Sequence, residues 1–420
     1  MSRALEGTGR TLANVAAHHH LPAMMTSIES WRAETPGTAF RNHLNNAGAA
    51  LMPAPVIAAL NDHIRLESEI GGYEASDAQS AAIETGYRDL ATLIGCDARN
   101  VAVVANATAG FVQSMSVFDF GSGDAIVTSR SDYTSNQIQY LALRARLGVE
   151  ILHAADLPEG GVDPESVREL LSSRKGPGQR VVAISWVPTN SGLVQDVEAV
   201  GEVCEDAGVP FVLDACQAVG QIPIDVSRIR CDYLAATGRK FLRGPRGIGF
   251  MFASDRALAR GEHPLFIDMR GGRWVAPDKY EVAESAKRFE DWEFPYALVL
   301  GQAAAARYAL EVGLKTAQTR AWMLAARLRD ALEKIPGARV LDRGKTRCAI
   351  VTVAFEGVDA SAVVRHLHSR GINAVSSLRE YAQLDFGDKG VDAAVRLSPH
   401  YYNTEEEVDS AASVIAEFTA

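Results

Sequence analysis

The chain contains no run of about 20 apolar residues of the kind a membrane-spanning helix requires, no CxxC pair and no excess of positive charge. Its 42 Lys and Arg against 52 Asp and Glu leave a formal net charge of -10. That balance argues against nucleic acid or an anionic membrane as partner, because such surfaces need concentrated cations. Five scattered cysteines, Cys96, Cys204, Cys216, Cys231 and Cys348, make neither a disulfide framework nor a zinc spacing. Their odd number, with an N-terminus lacking the sustained apolar core of a secretory signal, sets the expectation of a reducing cytoplasm. No metal is expected either: three adjacent histidines, His18, His19 and His20, cannot all face one ion from a helix or strand.

At 420 residues, 47% hydrophobic and 22% charged, the chain is an ordinary globular one long enough for two domains. Apolar strand-like runs alternate with helical patterns: VAVVA from Val101, AIVTS from Ala125, VEILHA from Val149, VVAISWV from Val181 and VPFVLD from Val209. Such alternation predicts a mostly parallel sheet with helices on its faces. An N-terminal segment (1–40), a large domain (41–295) and a smaller α+β domain (296–420), packed with the N-terminal segment, are the expected divisions.

Lysine is scarce, eight residues in all, and Lys240 alone among them sits between an apolar strand (Tyr233 to Ala236) and a glycine-rich turn. Thr237-Gly238-Arg239-Lys240 puts a hydroxyl, a flexible glycine and a second cation beside it. Apolar walls and Arg239 would lower the amine's pKa enough for a Schiff base with an aldehyde, although a solvated strand end has the same local look. Upstream, Val209 to Ala218 (VPFVLDACQA) runs from a buried strand to Asp214, with Gln217 three positions on. A carboxylate at a strand's carboxyl end is what a pyridinium nitrogen needs to stay protonated, and alone it equally suits a helix cap. The glycines of RGPRGIGFMF are in the order GxxGxG with no helix following, the wrong context for a dinucleotide fingerprint.

DACQ followed by TGRK resembles the fold-type I pyridoxal-phosphate enzymes of the class V aminotransferase and cysteine desulfurase family. The resemblance runs from about Leu44 to the C-terminus. It implies an α/β fold with a mostly parallel seven-stranded sheet in the large domain, and pyridoxal 5'-phosphate as cofactor. Lys240 is then the Schiff-base lysine, Asp214 the partner of the pyridine nitrogen and Gln217 a ligand of the ring hydroxyl, with Thr237 and Arg239 beside them. Asn106-Ala107-Thr108-Ala109-Gly110, between a strand and a helix N-terminus, resembles the family's phosphate turn and nominates Ala107 and Thr108; ordinary capping by Thr108 is the alternative. In Ser131 to Asn136 the family stacks an aromatic on the ring, which nominates Tyr133, with Thr134 one position away and simple surface packing still open. Asn190, at the end of a strand, is similarly a contact to the ring hydroxyl or substrate, or else a turn asparagine. Leu44 to Gly48 resembles the turn that approaches the bound amino acid, which nominates Asn46 and Ala47. Arg396, followed by SPHYYNT, matches the arginine that binds the substrate carboxylate through two parallel hydrogen bonds.

Arg288-Phe289-Glu290 matches the family's RFE. The threonine that often follows it and reaches the partner subunit is replaced by Asp291-Trp292-Glu293. A homodimer is implied all the same. Residues 371–395 contain no cysteine, which disfavours a desulfurase. Gly71-Gly72-Tyr73 and Pro188 to Val194 (PTNSGLV) look like the ergothioneine-pathway hercynylcysteine sulfoxide lyases. The expected reaction is therefore carbon–sulfur β-elimination from a cysteine conjugate to pyruvate and ammonia. Transamination, or racemisation of the isopenicillin N epimerase kind, is the alternative.

Overall fold

Seven strands, most of them apolar along their whole length, form the central sheet of the computed structural model, which describes residues 27–173 and 178–419. The histidine triplet and residues 174–177 lie outside the described residues. In chain order the strands are β1 (Val101–Val104), β2 (Ala125–Thr128), β3 (Glu150–His153), β4 (Arg180–Ser185), β5 (Phe211–Asp214), β6 (Tyr233–Thr237) and β7 (Gly249–Ala253). Their spatial order is β1-β7-β6-β5-β4-β2-β3. Only β7 runs against its neighbours; the other pairings are parallel.

The two-residue period of a strand assigns alternate side chains to two cores. Val103, Val182, Ile184, Leu213, Leu234 and Phe250 face one, with Tyr87, Leu90 and Val200 from covering helices. Ala102, Val181, Ala183, Val212, Tyr233 and Met251 face the other, with Phe111 and Tyr140. A sheet covered on both faces needs unbroken apolar strands, which is why these read as runs rather than as alternation. Strand β3, at the edge, is the one with an exposed Glu150.

The smaller body is an antiparallel sheet of β8 (Ala338–Val340), β9 (Val351–Phe355), β10 (Val375–Leu378) and β11 (Ala393–Leu397), ordered β8-β9-β11-β10. Helices Leu314–Leu332, Ala360–Ser369 and Glu405–Thr419 pack with it. Residues 27–40 lie against this body: Arg32 Nη1 donates to Tyr402 O (3.1 Å) and pairs with Glu407 Oε1 (2.9 Å). Asn42–His43 then pairs in parallel with Ile372–Asn373. Helix Tyr296–Val312 packs on the large-body helices Ala54–Ile70 and Ser80–Ile94, while its Tyr308 and Val312 join Trp31, Tyr401 and Tyr402. The proposed division between residues 295 and 296 thus falls at the start of a helix that touches both bodies.

Helix Ala54–Ile70 ends on Gly71, whose φ of 100° suits a residue without Cβ. A short helix, Gly72–Ala78, starts at once, so Gly71-Gly72-Tyr73 joins two helices rather than forming an open turn. The hairpin Gly272–Ala276 with Lys279–Val282 and the helix Gln383–Lys389 were not among the expected elements. No helix among the described residues is long and apolar enough to cross a membrane.

Candidate active site

The parallel strands end on one side of the sheet, where open α/β folds place ligands. Asp214 ends β5 and Thr237 ends β6 in direct register proximity, Asp214 lying opposite Ala235. The chain after Thr237 then folds tightly: Gly238 N–H donates to Ile248 O (3.0 Å), Gly244 N–H to Gly238 O (2.8 Å) and Arg243 N–H to Lys240 O (2.8 Å). That turn holds Lys240 at the strand end, 7% exposed, with Nζ 5.7 Å from the centre of the Tyr133 ring. Burial holds its ammonium below the ordinary lysine range; Arg239 and Arg396 push the same way, while Cys216 and Asp214 oppose them.

Asp214 is buried and held from three sides. Its Oδ1 accepts the Cys216 N–H (2.9 Å), and its Oδ2 faces Asn136 Nδ2 (3.1 Å) and Ser185 Oγ (3.3 Å). Gln217 donates through Nε2 to Thr189 Oγ1 (3.0 Å) and Ala47 O (3.1 Å), leaving its Oε1 buried without a partner. Asn190 donates through Nδ2 to Asp385 Oδ2 (2.6 Å), and its Oδ1 is likewise buried and unpartnered. Arg396 Nη1 reaches Thr189 O (2.9 Å) and Oγ1 (2.8 Å), and Nη2 reaches Asn45 Oδ1 (3.2 Å), whereas Nε is buried with no acceptor. Burial and Arg239 lower the Arg396 guanidinium to about 10, so it stays charged at neutral pH.

The other expected site residues fall nearby with different attachments. Tyr133 rather than Thr134 faces Lys240; the Thr134 hydroxyl points at Glu380 O (3.4 Å) in the smaller body. Thr237 Oγ1 faces Ile248 O (3.4 Å), and Arg239 donates to Gly48 O, tying the strand end to the Asn45 to Gly48 turn. The Asn46 side chain is fully engaged, donating to His43 O (3.2 Å) and Ser398 O (2.7 Å) and accepting from Tyr402 Oη. Ala47 N–H donates to Ser398 Oγ (2.9 Å). The side chain of that turn which reaches Arg396 is Asn45. Ala107 and the exposed Thr108 open the helix Ala107–Met115, whose cap Asn106 accepts the Ala109 N–H (2.9 Å) and leaves the earlier N–H groups to an anion. A Cβ on Gly249 would fall on Ala236 O and within 3.0 Å of Ala107 N, so the floor of this turn is closed to any side chain.

Residues the sequence did not single out complete the site: Asp132, Asn136, Ser185, Thr189, and the pair Asp385 and Lys389 (2.7 Å). A signal existed for the first two, because Asp132 and Asn136 stand four apart where a strand turns into a helix. The segment before Arg396 is fastened across the site mouth by Asn190 to Asp385 and by Arg130, which takes Asp388 with Nε (3.0 Å) and Nη2 (2.8 Å).

This arrangement fits pyridoxal phosphate. A lysine of lowered pKa, a buried carboxylate, a helix N-terminus over a floor that excludes a Cβ, and the unpartnered polar atoms of Gln217, Asn190 and Arg396 converge from separate strands. Among the described residues no cluster of three His, Cys, Asp or Glu is arranged to hold a metal ion.

Comparison with known proteins gives the same outline. The family model for aminotransferase class-V matches residues 42–410. A probable cysteine desulfurase of Pyrococcus abyssi is 24% identical across 93% of this chain and 97% of its own. A probable hercynylcysteine sulfoxide lyase of Mycobacterium tuberculosis is 25% identical across 95% of both. Among solved structures, the apo cysteine desulfurase of Thermococcus onnurineus superposes with a TM-score of 0.85 (24% identity, 94% of this chain, 99% of that one). The cystine C–S lyase C-DES, in complex with its product cysteine persulfide, superposes with 0.81 (22% identity, 92% and 100%). These likenesses show the α/β fold.

Proposed function

The chain belongs to the aminotransferase class-V family, and from that premise we propose that it is a pyridoxal-phosphate-dependent carbon–sulfur β-lyase cleaving a cysteine sulfoxide conjugate to pyruvate, ammonia and a sulfenate. The observation that carries the choice is the segment in front of Arg396. Residues 371–395 hold no thiol, and Asn190, Asp385 and Arg130 pin the segment in place. The one cysteine near Lys240 and Asp214 is Cys216, whose thiol is pushed up to about 12 by burial and then by Asp214. A thiol so rarely ionised is a poor acceptor of sulfur. Sulfur must therefore leave with its own substituent, and a sulfenate, the weaker base, leaves more readily than a thiolate.

Bound here, pyridoxal phosphate supplies the sink for the electron pair released at the substrate's α-carbon. The chain's own groups do the rest. Lys240, biased toward the neutral amine, takes the α-proton onto Nζ. Asp214, held by the Cys216 N–H and by Asn136 Nδ2, would keep positive charge on the ring nitrogen. Arg396 offers the edge formed by its unpartnered Nε and by Nη2 to the substrate carboxylate. Asn190 Oδ1 and Gln217 Oε1, buried and unpartnered, would accept from donors on the cofactor or the substrate, and Tyr133, facing Lys240, would help exclude water there. Overall, one cysteine sulfoxide conjugate and one water would give pyruvate, ammonia and a sulfenic acid, the proton taken up by Lys240 leaving with the products.

Leu265, Phe266, Met269 and Trp274 are each 63–84% exposed on one stretch of the large body, which supports assembly as a homodimer. A cytoplasmic setting agrees with five cysteines that are all unpaired.

The deciding experiment incubates purified enzyme with S-alkyl cysteine sulfoxides and assays pyruvate without any added keto acid. Stoichiometric pyruvate, formed faster than from the matching thioethers, is the expected result. Amino-group consumption only when a keto acid is supplied would make the protein an aminotransferase. Persulfide or sulfide from free cysteine would make it a desulfurase.

A further inference from the structure

We propose that Asp132, itself held by Ser185, is a positioning residue that sets the geometry and charge of Asp214 through Asn136, and that it acts on the cofactor only by way of Asp214. This rests on the role given above to Asp214 and assigns the second carboxylate that lies behind it.

Asp132 is 5% exposed, and its two oxygens face five donors. Oδ1 takes Ser185 Oγ (2.6 Å), the Tyr133 N–H (2.7 Å) and Asn136 Nδ2 (3.3 Å). Oδ2 takes Thr128 Oγ1 (3.1 Å) and Gln137 Nε2 (3.2 Å). Two of these donors are shared, for Ser185 Oγ and Asn136 Nδ2 also face Asp214 Oδ2 at 3.3 and 3.1 Å.

A hydroxyl has one hydrogen, and the shorter distance assigns the Ser185 hydrogen to Asp132. The Asn136 amide has two, and one can be directed at each carboxylate. Asp132 thereby fixes the rotamer of both groups, and with Asn136 so held, its second N–H is aimed at Asp214.

Two carboxylates sharing one hydroxyl and one amide concentrate negative charge where a cationic ring nitrogen is to be held. Burial pushes the Asp132 carboxyl above the ordinary range, and the charge of Asp214 pushes the same way, against the bonds from Ser185, Tyr133 and Asn136. Holding a second acid there costs stability that an apolar residue would not. A purely structural staple between β2, β4 and the following helix would affect melting without a specific coupling to Asp214.

The test uses Asp132→Asn, Ser185→Ala and Asp214→Asn, and each of the first two combined with the third. Melting of the apoenzyme, affinity of the apoenzyme for pyridoxal phosphate by quenching of tryptophan fluorescence, and kcat and KM with S-methyl-cysteine sulfoxide are measured for all. Loss of a hydrogen-bond network to a buried charge predicts that Asp132→Asn weakens cofactor affinity and kcat by about tenfold or more, with KM nearly unchanged. In the Asp214→Asn background both losses should shrink to less than about twofold. Losses that multiply in the double variant, or an Asp132→Asn enzyme that matches the wild type apart from its melting point, overturn the proposal. If Asp132→Asn does not fold, Ser185→Ala, which removes one hydroxyl, reads the same coupling. Unimpaired turnover by Asp214→Asn alone would instead overturn the role of Asp214, a different failure from multiplied losses.

Discussion

Replacing Arg396 by lysine keeps a cation at the end of β11 and removes the planar fork. In the native protein Nη1 is committed to Thr189 O and Oγ1, Nη2 has one bond to Asn45, and Nε has none. The free edge is therefore Nε with the second hydrogen of Nη2, the pair that meets a carboxylate with two parallel bonds. A lysine ammonium reaching the same place makes one such bond. A hydrogen bond involving a charged group is worth about 1.5–3 kcal/mol, so KM for the amino-acid substrate should rise about 10- to 100-fold. Thr189 Oγ1 is not orphaned by the change, because Gln217 still donates to it, and the cofactor content should stay normal.

Charge adds a second signature. Burial and Arg239 bring the native guanidinium from 12.5 to about 10. The same burial and the same Arg239 charge would push a lysine there below its ordinary range as well. The KM of the Arg396→Lys enzyme should therefore climb further as pH rises, assayed from about pH 7 to about pH 9, while the native enzyme, still charged, lacks that added rise. Initial rates over that range, with cofactor absorbance recorded on the same samples, test both effects. An unchanged KM for every accepted amino acid removes Arg396 from the site, and a raised KM with no added pH dependence refutes the burial argument.

Lys240→Ala should abolish the covalent adduct that borohydride traps in the native enzyme; a reduced lysyl adduct at any other position sinks the assignment. Asp214→Asn should still bind pyridoxal phosphate yet lose most of its kcat, because the contact strengthens as negative charge enters the ring; near-native turnover contradicts it. Glu290 accepts from Tyr87 Oη (2.7 Å) and the Val103 N–H (2.8 Å), and burial raises its carboxyl from 4.5 to about 7. Between those values the folded state binds more protons than the unfolded one, so this group's contribution falls as pH rises through the window, by about 3 kcal/mol in all, and is flat above it. Glu290→Gln should lack that slope, and parallel stability-against-pH curves for the two proteins between about pH 4.5 and 7 would refute the burial argument.

The large sheet was legible because its strands are buried on both faces, a condition that writes itself as unbroken apolar runs such as Val181 to Ser185 and Phe211 to Leu213. The hairpin Gly272–Ala276 with Lys279–Val282 was not: its side chains are mostly exposed, so no burial pattern marks it. Helix Gln383–Lys389 was hidden for a related reason. Its seven residues carry one buried aromatic, Phe386, and its position is fixed by Asp385 and Asp388 reaching Asn190 and Arg130, partners far away in sequence. Gly72–Ala78 was missed because a glycine pair reads as a breaker, while the structure uses Gly71 alone for the turn.

The site divides along the same line. Asp214, Gln217, Lys240 and Arg396 were readable because each stands at or just beyond the end of an apolar strand, and that local context is enough to suggest chemistry. Thr189 carries no such context, yet its hydroxyl joins two of them. Oγ1 accepts from Gln217 Nε2 at 3.0 Å and from Arg396 Nη1 at 2.8 Å. Both acceptor positions of that oxygen are then in use. A sequence shows a threonine in a PTNSG turn; only the convergence of residues 189, 217 and 396 makes its oxygen the point where two candidate site residues meet.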